Sequence, residues 1–257
     1  MKLIFKKIVT FKAWFRYTEK NYMKLVLFFL FTAFTFQSHA QTIINDKNAE
    51  VRNVSAFTGI KVSGGIDVYL SQSNEYALAV SASDKKSNVN IKTEVHNGIL
   101  HIFYDGNSFR LSPNHKLRTY ISFKTLESLE GSGASDFIIN GTLKANSLKI
   151  ELSGASEIKG NLHLDNLLLN MEGASIVKVN GTVKNIKINA SGASDMKNYD
   201  LVVDHCIAEL SGASDVKITI NKSLSAKASG ASLLYYKGNP KKTELSSSGA
   251  SNISQRN

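Results

Sequence analysis

The pentapeptide SGASD fills Ser191–Asp195 and also stands at Ser132–Asp136 and Ser211–Asp215. Close variants occupy Ser153–Glu157 (SGASE), Glu172–Ile176 (EGASI), Ser229–Leu233 (SGASL) and Ser248–Asn252 (SGASN). The seven copies begin at 132, 153, 172, 191, 211, 229 and 248, at spacings of 21, 19, 19, 20, 18 and 19 residues. A period near 20 marks a stack of repeats, each burying its apolar face only against its neighbours.

The residues flanking the motif decide whether the repeats are helical or extended. The five before each copy, from the second onward, read LKIEL, LLLNM, IKINA, CIAEL, LSAKA and TELSS. Positions one, three and five are mostly apolar or small, a period of two that belongs to strands. The residues after the motif alternate likewise, and Asn140-Gly141, Gly160-Asn161, Asn180-Gly181 and Asn221-Lys222 punctuate them as turns. This pattern predicts an all-β fold: a parallel β-helix, or β-solenoid, of about seven coils of 19–20 residues.

Equivalent residues of stacked coils lie about 4.8 Å apart. A position held at Gly, Ala or Ser therefore forms a ladder of small side chains, as needed at a sharp bend or a close approach of sheets. If alternation runs through the motif, Gly and the second Ser point inward and Ala outward. The inward serines (Ser135, Ser156, Ser175, Ser194, Ser214, Ser232 and Ser251) are then expected to hydrogen-bond from coil to coil. Seven equivalent serines without a recurring His do not make a nucleophile. Cys206 falls in an apolar column with Leu148, Leu167, Ile186 and Leu224, as a buried small hydrophobe. His96, His101, His115, His163 and His205 lack metal-ligand spacing. No catalytic residue, cofactor or metal is assigned.

One charged constellation has a physical logic. Directly after the motif come Asp136, Glu157, Ile176, Asp195, Asp215, Leu233 and Asn252; two residues on come Ile138, Lys159, Lys178, Lys197, Lys217, Tyr235 and Ser254. Both columns share one parity, so acids and lysines are expected side by side on one face, each offsetting the other's self-repulsion. Read structurally, this is a solvated, mutually neutralising surface. Read functionally, Asp136, Glu157, Asp195, Asp215, Lys159, Lys178, Lys197, Lys217 and Tyr235 grip a repetitive polymer such as a glycan. A divalent cation between Asp195 and Asp215 is a minor variant. Tyr235 or Tyr236, Tyr199 and Phe109 are the candidates for sugar stacking.

Met1–Ala40 reads as a leader. From Met23 it runs MKLVLFFLFTAFTFQSHA, with a basic residue, an apolar run at Leu25–Phe36 and Ser-x-Ala before Gln41, the parts of a secretory signal peptide. Met23 is the better start. The apolar run is shorter than the roughly 17–25 residues of a membrane span; a retained anchor is the competing reading. The leader holds seven Lys or Arg and one Glu, so without it the net charge falls from +10 to +4, no basis for nucleic-acid binding. One cysteine excludes an intramolecular disulfide in an exported chain. No second long apolar segment follows, so no stable membrane span is expected once the leader is cut.

Residues 41–50 form a polar lead-in. Residues 51–130 lack the motif but are strand-rich: alternation runs from Ile60 to Leu70 around a Ser63–Gly65 kink, and Asn97-Gly98 marks a hairpin turn. This half is expected to form irregular coils or hairpins that cap the first repeat within a single domain, 51–257.

The stretches FTGIKVSGGIDVYLSQS (57–73) and NVNIKTEVHNGILHI (88–102), followed by serial SGAS(D/E), resemble the auto-transporter adhesin family, head GIN domain. The resemblance spans about 51–252. It implies a right-handed parallel β-helix exported by a Gram-negative bacterium, and no catalytic residues. Function is therefore expected to be non-enzymatic: an adhesion-type module of the cell envelope offering flat faces to a glycan or envelope partner, in the periplasm or at the cell surface. The alternatives are an accessory envelope protein that self-assembles through solenoid faces or ends, or binds a protein partner, and, by analogy of fold, a polysaccharide-active enzyme.

Overall fold

The computed structural model describes residues 45–106 and 116–257; the expected leader and Phe109 lie outside them. About 66% of the described residues are strand, and they wind into a β-solenoid of about seven turns, as the period-two flanks require. Five long strands carry the repeats: β9 (Asp136–Leu152), β10 (Glu157–Met171), β11 (Ile176–Ala190), β12 (Asp195–Leu210) and β13 (Asp215–Ala228). Each pairs in parallel with the next. The stack ends in β14 (Leu233–Lys237), β15 (Lys242–Ser247) and β16 (Asn252–Gln255).

Alternation breaks twice inside β9, where Asn140, Gly141 and Thr142 are all exposed, as are Asn146 and Ser147. These breaks are bends, so each coil has three straight segments. In β9 their inward residues are Phe137 and Ile139, then Leu143, then Leu148, Ile150 and Leu152. The register stacks such residues into columns, among them Leu148–Leu167–Ile186–Cys206–Leu224, all buried. Each fully buried aliphatic side chain contributes roughly 1.5–3 kcal/mol. Burial pushes the Cys206 thiol up to about 12, so it reacts as an apolar filler and not as a thiolate. A thiol reagent is expected to label Cys206 only after denaturation; prompt labelling of the native protein would contradict this burial.

The motif itself makes the remaining corner. Its glycine has φ between +69° and +78° in all seven copies. A left-handed residue interrupts alternation, and so this glycine is exposed and not inward as the parity extrapolation has it. The alanine after it donates its N–H to the glycine carbonyl one coil back at 2.7–2.8 Å. That backbone contact leaves no room for a side chain: a Cβ on Gly192 would sit 2.5 Å from the Gly173 oxygen. The second serine does point inward, buried from Ser135 through Ser232. Its hydroxyl, however, donates to the carbonyl of the motif's first residue in its own coil, at 2.6–3.0 Å. The expected bonding between coils fails because a hydroxyl ladder at the interstrand spacing of about 4.8 Å exceeds hydrogen-bond reach. Ser251 alone among the described members also donates to the previous coil, to the Ala228 carbonyl at 3.0 Å.

The first half adjoins this stack in a permuted order. β2 (Gly59–Val62) and β3 (Ile66–Gln72) are parallel to β6 (Ile99–Tyr104) and β7 (Leu117–Phe123) on one side, and to β8 (Ser128–Gly131) and β9 on the other. The first coil in sequence is thus the second in space. Beyond it the run of parallel strands is closed by antiparallel ones. β4 (Ala77–Ala82) covers β7, β1 (Glu50–Arg52) covers β4, and β5 (Ile91–His96) folds back on β6 through the Asn97-Gly98 turn. Both turn residues have positive φ, the geometry of a tight hairpin. The other end differs: β15 pairs with β13 alone and all six of its residues are exposed.

Gly192→Ala is expected to destabilise the protein by about 2 kcal/mol or more, from left-handed strain plus the clash with Gly173. Gly141 shares a positive φ, yet nothing lies within 4 Å of its would-be Cβ. Gly141→Ala therefore bears the conformational cost alone. Urea unfolding of both variants separates the two contributions; equal losses would show that coil-to-coil contact is not the constraint.

Candidate functional site: a charged face

The first straight segment of each coil presents two outward columns. One runs Arg118–Asp67–Asp136–Glu157–Ile176–Asp195–Asp215–Leu233–Asn252. Its acids are those expected from the sequence, with Asp67 in addition. SGGID at Ser63–Asp67 aligns with SGASD, and Ser132 donates its N–H to the Val62 carbonyl, so the kink is an eighth copy of the bend. The second column is two runs. Tyr120, Tyr69, Ile138, Lys159 and Lys178 form the first; Lys217, Tyr235 and Ser254 form the other, and the backbone of Lys197 pairs with Lys217 while its side chain lies outside the described atoms. Pairing between β11 and β12 lapses between Ile176 and Gly181, where β12 carries an extra residue. The lysine column is therefore not continuous as its spacing implies.

Charge changes along this face. At its N-terminal end Asp136 is flanked by Asp67 and Glu157; burial, then these two carboxylates, hold its carboxyl above the usual range. Lys178 reaches diagonally to Glu157 at 3.1 Å. Next to them Tyr69 and Tyr120 stack at 5.0 Å. Asp46 accepts from the Tyr120 hydroxyl at 2.8 Å and from Arg118 at 3.3 Å, tying the polar lead-in to the cap. Burial, then the bond to Asp46, pushes the Tyr120 phenol up to about 12. Burial opposes ionisation of Asp46, but its hydrogen bonds outweigh that and leave its carboxyl below the usual range.

At the C-terminal end the acid column gives out into Leu233 and Asn252 while cations continue. Arg256 lies 4.3 Å and Lys217 6.0 Å from the Tyr235 ring centre, and Lys237 lies 5.1 Å from that of Tyr199. The ring faces are thus engaged by cations. Tyr236 is buried, because it falls on the inward parity. Sugar stacking on Tyr236 is therefore ruled out by the fold, and on Tyr235 and Tyr199 it competes with the cations.

A feature absent from the sequence reading lies on another side. Asn170, Glu172, Asn189, Ser191, Glu209 and Lys227 help line an open groove of about 740 Å³ beside the motif bends. Asn189 donates to Asn170 at 2.8 Å, and Asn170 to Glu151 at 3.1 Å, along its floor. The motif's first residues, Glu172, Ser191, Ser211, Ser229 and Ser248, all border this groove, so its position was readable from the repeat alignment. Among the described residues no three acids, histidines or cysteines are arranged to hold a metal, and no helix is long and apolar enough to cross a membrane.

Residues 56–240 match the model of the family described as "Putative auto-transporter adhesin, head GIN domain". The chain belongs to this family. Solved structures repeat the fold. A "putative adhesin" from Bacteroides fragilis aligns with a TM-score of 0.71 at 21% identity, over 81% of this chain and 96% of its own. A "putative lipid binding protein" from Parabacteroides distasonis aligns with a TM-score of 0.64 at 22% identity, over 82% and 98%. A "putative adhesin" from Parabacteroides merdae gives 0.59 at 16%, over 81% and 95%. At such identities they share the architecture alone. No curated protein matches the chain.

Asp136→Asn should raise stability at neutral pH. A carboxyl whose folded pKa lies above its unfolded value of 3.8 destabilises the fold above both values and ceases to do so once protonated. The gain in melting temperature over the parent protein is therefore expected near pH 7 and should vanish as pH falls through the carboxylate range. A constant gain at all pH values would show that repulsion is not its source.

Proposed function

We propose that the chain is an exported, non-enzymatic binding module of adhesion type in the bacterial envelope, with its charged face turned to a glycan or an envelope partner. The observation that carries this reading is the register: half-buried acids, with lysines beside them, recur along one outward face, a periodic surface suited to a periodic ligand. Membership of an adhesin-head family supports it. Glycosidases use one pair of carboxylates some 5–9.5 Å apart in a single cleft, whereas these acids recur equivalently down a face with lysines alongside. The test is retention of fractionated envelope polysaccharides on the immobilised protein, with fractionation of cells to locate the chain. Retention is expected, weakened several-fold in a Lys159→Gln/Lys178→Gln variant because each loses a charged contact. No retention of any fraction would overturn the reading.

The uncovered β15 edge favours a second reading, self-assembly end to end. Sedimentation decides it: association that rises with concentration supports assembly, and a monomer throughout refutes it.

A further inference from the structure

We propose that the C-terminal corner of the charged face, built from Lys217, Lys237 and Arg256 on the rings of Tyr235 and Tyr199, is a binding site for an acidic polysaccharide. This rests on the binding-module reading and adds to it both the ligand's charge and its place on the face.

Elsewhere on this face cations have acids as neighbours. Lys178 pairs with Glu157, and Arg118 with Asp46. The balance fails in the last coils, where the acid column turns into Leu233 and Asn252. None of Lys217, Lys237 and Arg256 makes an ion pair among the described residues. All three have an aromatic face within 6.0 Å, which holds the cationic groups in place at little cost in side-chain freedom.

The corner also has the geometry of a polymer site. Lys217 stands on β13 and Lys237 on β14, while Arg256 follows β16 and donates its N–H to the Tyr236 carbonyl at 2.8 Å. Three successive coils thus supply one cation each: Arg256 lies one ladder step of about 4.8 Å from Lys237, and Lys217 lies one coil back and two residues earlier along the strand, in register with Tyr235. The cations are therefore staggered across the corner, placed to meet anionic groups on neighbouring sugars of an extended glycan. Like charges so placed repel one another, and Asp215, the nearest acid of the column, offsets only one of the three. An anionic group on consecutive sugars neutralises the excess and accepts charge-assisted hydrogen bonds from ammonium and guanidinium alike. A neutral glycan gains neither. With their faces occupied by cations, the tyrosines serve as platforms for charge and not as stacking surfaces for sugar.

The test is calorimetric titration of the purified protein with polygalacturonate, dextran sulfate and neutral dextran. Binding of one or both polyanions, but not of neutral dextran, is expected; the two polyanions distinguish carboxylate from sulfate as the group taken. Lys217→Gln, Lys237→Gln and Arg256→Gln should each weaken binding about tenfold, the loss of one charge-assisted contact. Lys187→Gln removes the same charge from another side of the coil and should leave affinity unchanged. Melting curves like the parent's establish that each variant is folded. Equal binding of neutral dextran, or polyanion binding untouched by the three corner variants, overturns the proposal. If envelope polysaccharide is retained and no polyanion binds, this inference falls while the binding-module reading stands; if neither binds, both fall.

Discussion

Everything in this molecule depends on backbone meeting backbone at one corner. Each coil turns through a left-handed glycine, and the next residue bonds to the glycine carbonyl of the coil below at 2.7–2.8 Å. The contact excludes a side chain on steric grounds and a right-handed conformation on geometric ones, so two independent demands fall on one residue. The serine two positions on ties the turn to itself inside an otherwise apolar interior, its hydroxyl spent on a carbonyl that lacks a strand partner. Alanine fills the exposed flank. The glycine recurs because its place in the corner admits no side chain, whereas the first position also accepts Glu172 and the serine position accepts Ile66.

From that fixed corner the faces follow. Register is pinned once per turn, so the parity of every residue after the bend is set, and a charge written into one repeat lands beside the charge in the next. Three sides result with different characters: an acid–lysine face, a polar groove lined in part by asparagines, and a segment between two bends with one or two inward residues per coil, such as Leu143 in β9 and Leu162 and Leu164 in β10. The acidic end of the charged face abuts the cap, where Asp46 and Tyr120 bind the lead-in; the cationic end lies at the opposite limit of the stack. The face therefore has a polarity along the solenoid axis that no single coil displays.

Much of this was legible because a solenoid converts sequence period directly into spatial neighbours. The seven bends, the strand flanks, the inward serines, the Leu148–Cys206–Leu224 column and the acids that follow four of the seven motifs are all where spacing puts them. What escaped did so for local physical reasons. Gly133 and its equivalents face out, because extrapolating alternation through a left-handed residue inverts its side. Asp67 joins the acid column although SGGID lacks the Ala-Ser pair, since backbone shape and not side-chain identity defines the bend. The lysine column splits at β12, where one extra residue shifts the ladder. The permuted placement of β2 and β3 was beyond reach, because strand order in an irregular region is decided by long-range pairing.

The unequal ends of the stack bear on how such a protein varies in length. Antiparallel strands seal one terminus and fix it, whereas successive windows from Ser153 to Ser232 are interchangeable units with the same corner and the same step. Gaining or losing one such window lengthens or shortens the exposed ladder by one rung and disturbs only the two units it touches. Span, and hence the number of ligand residues a face can engage at once, is a quantity this architecture can adjust by whole units without redesigning a core.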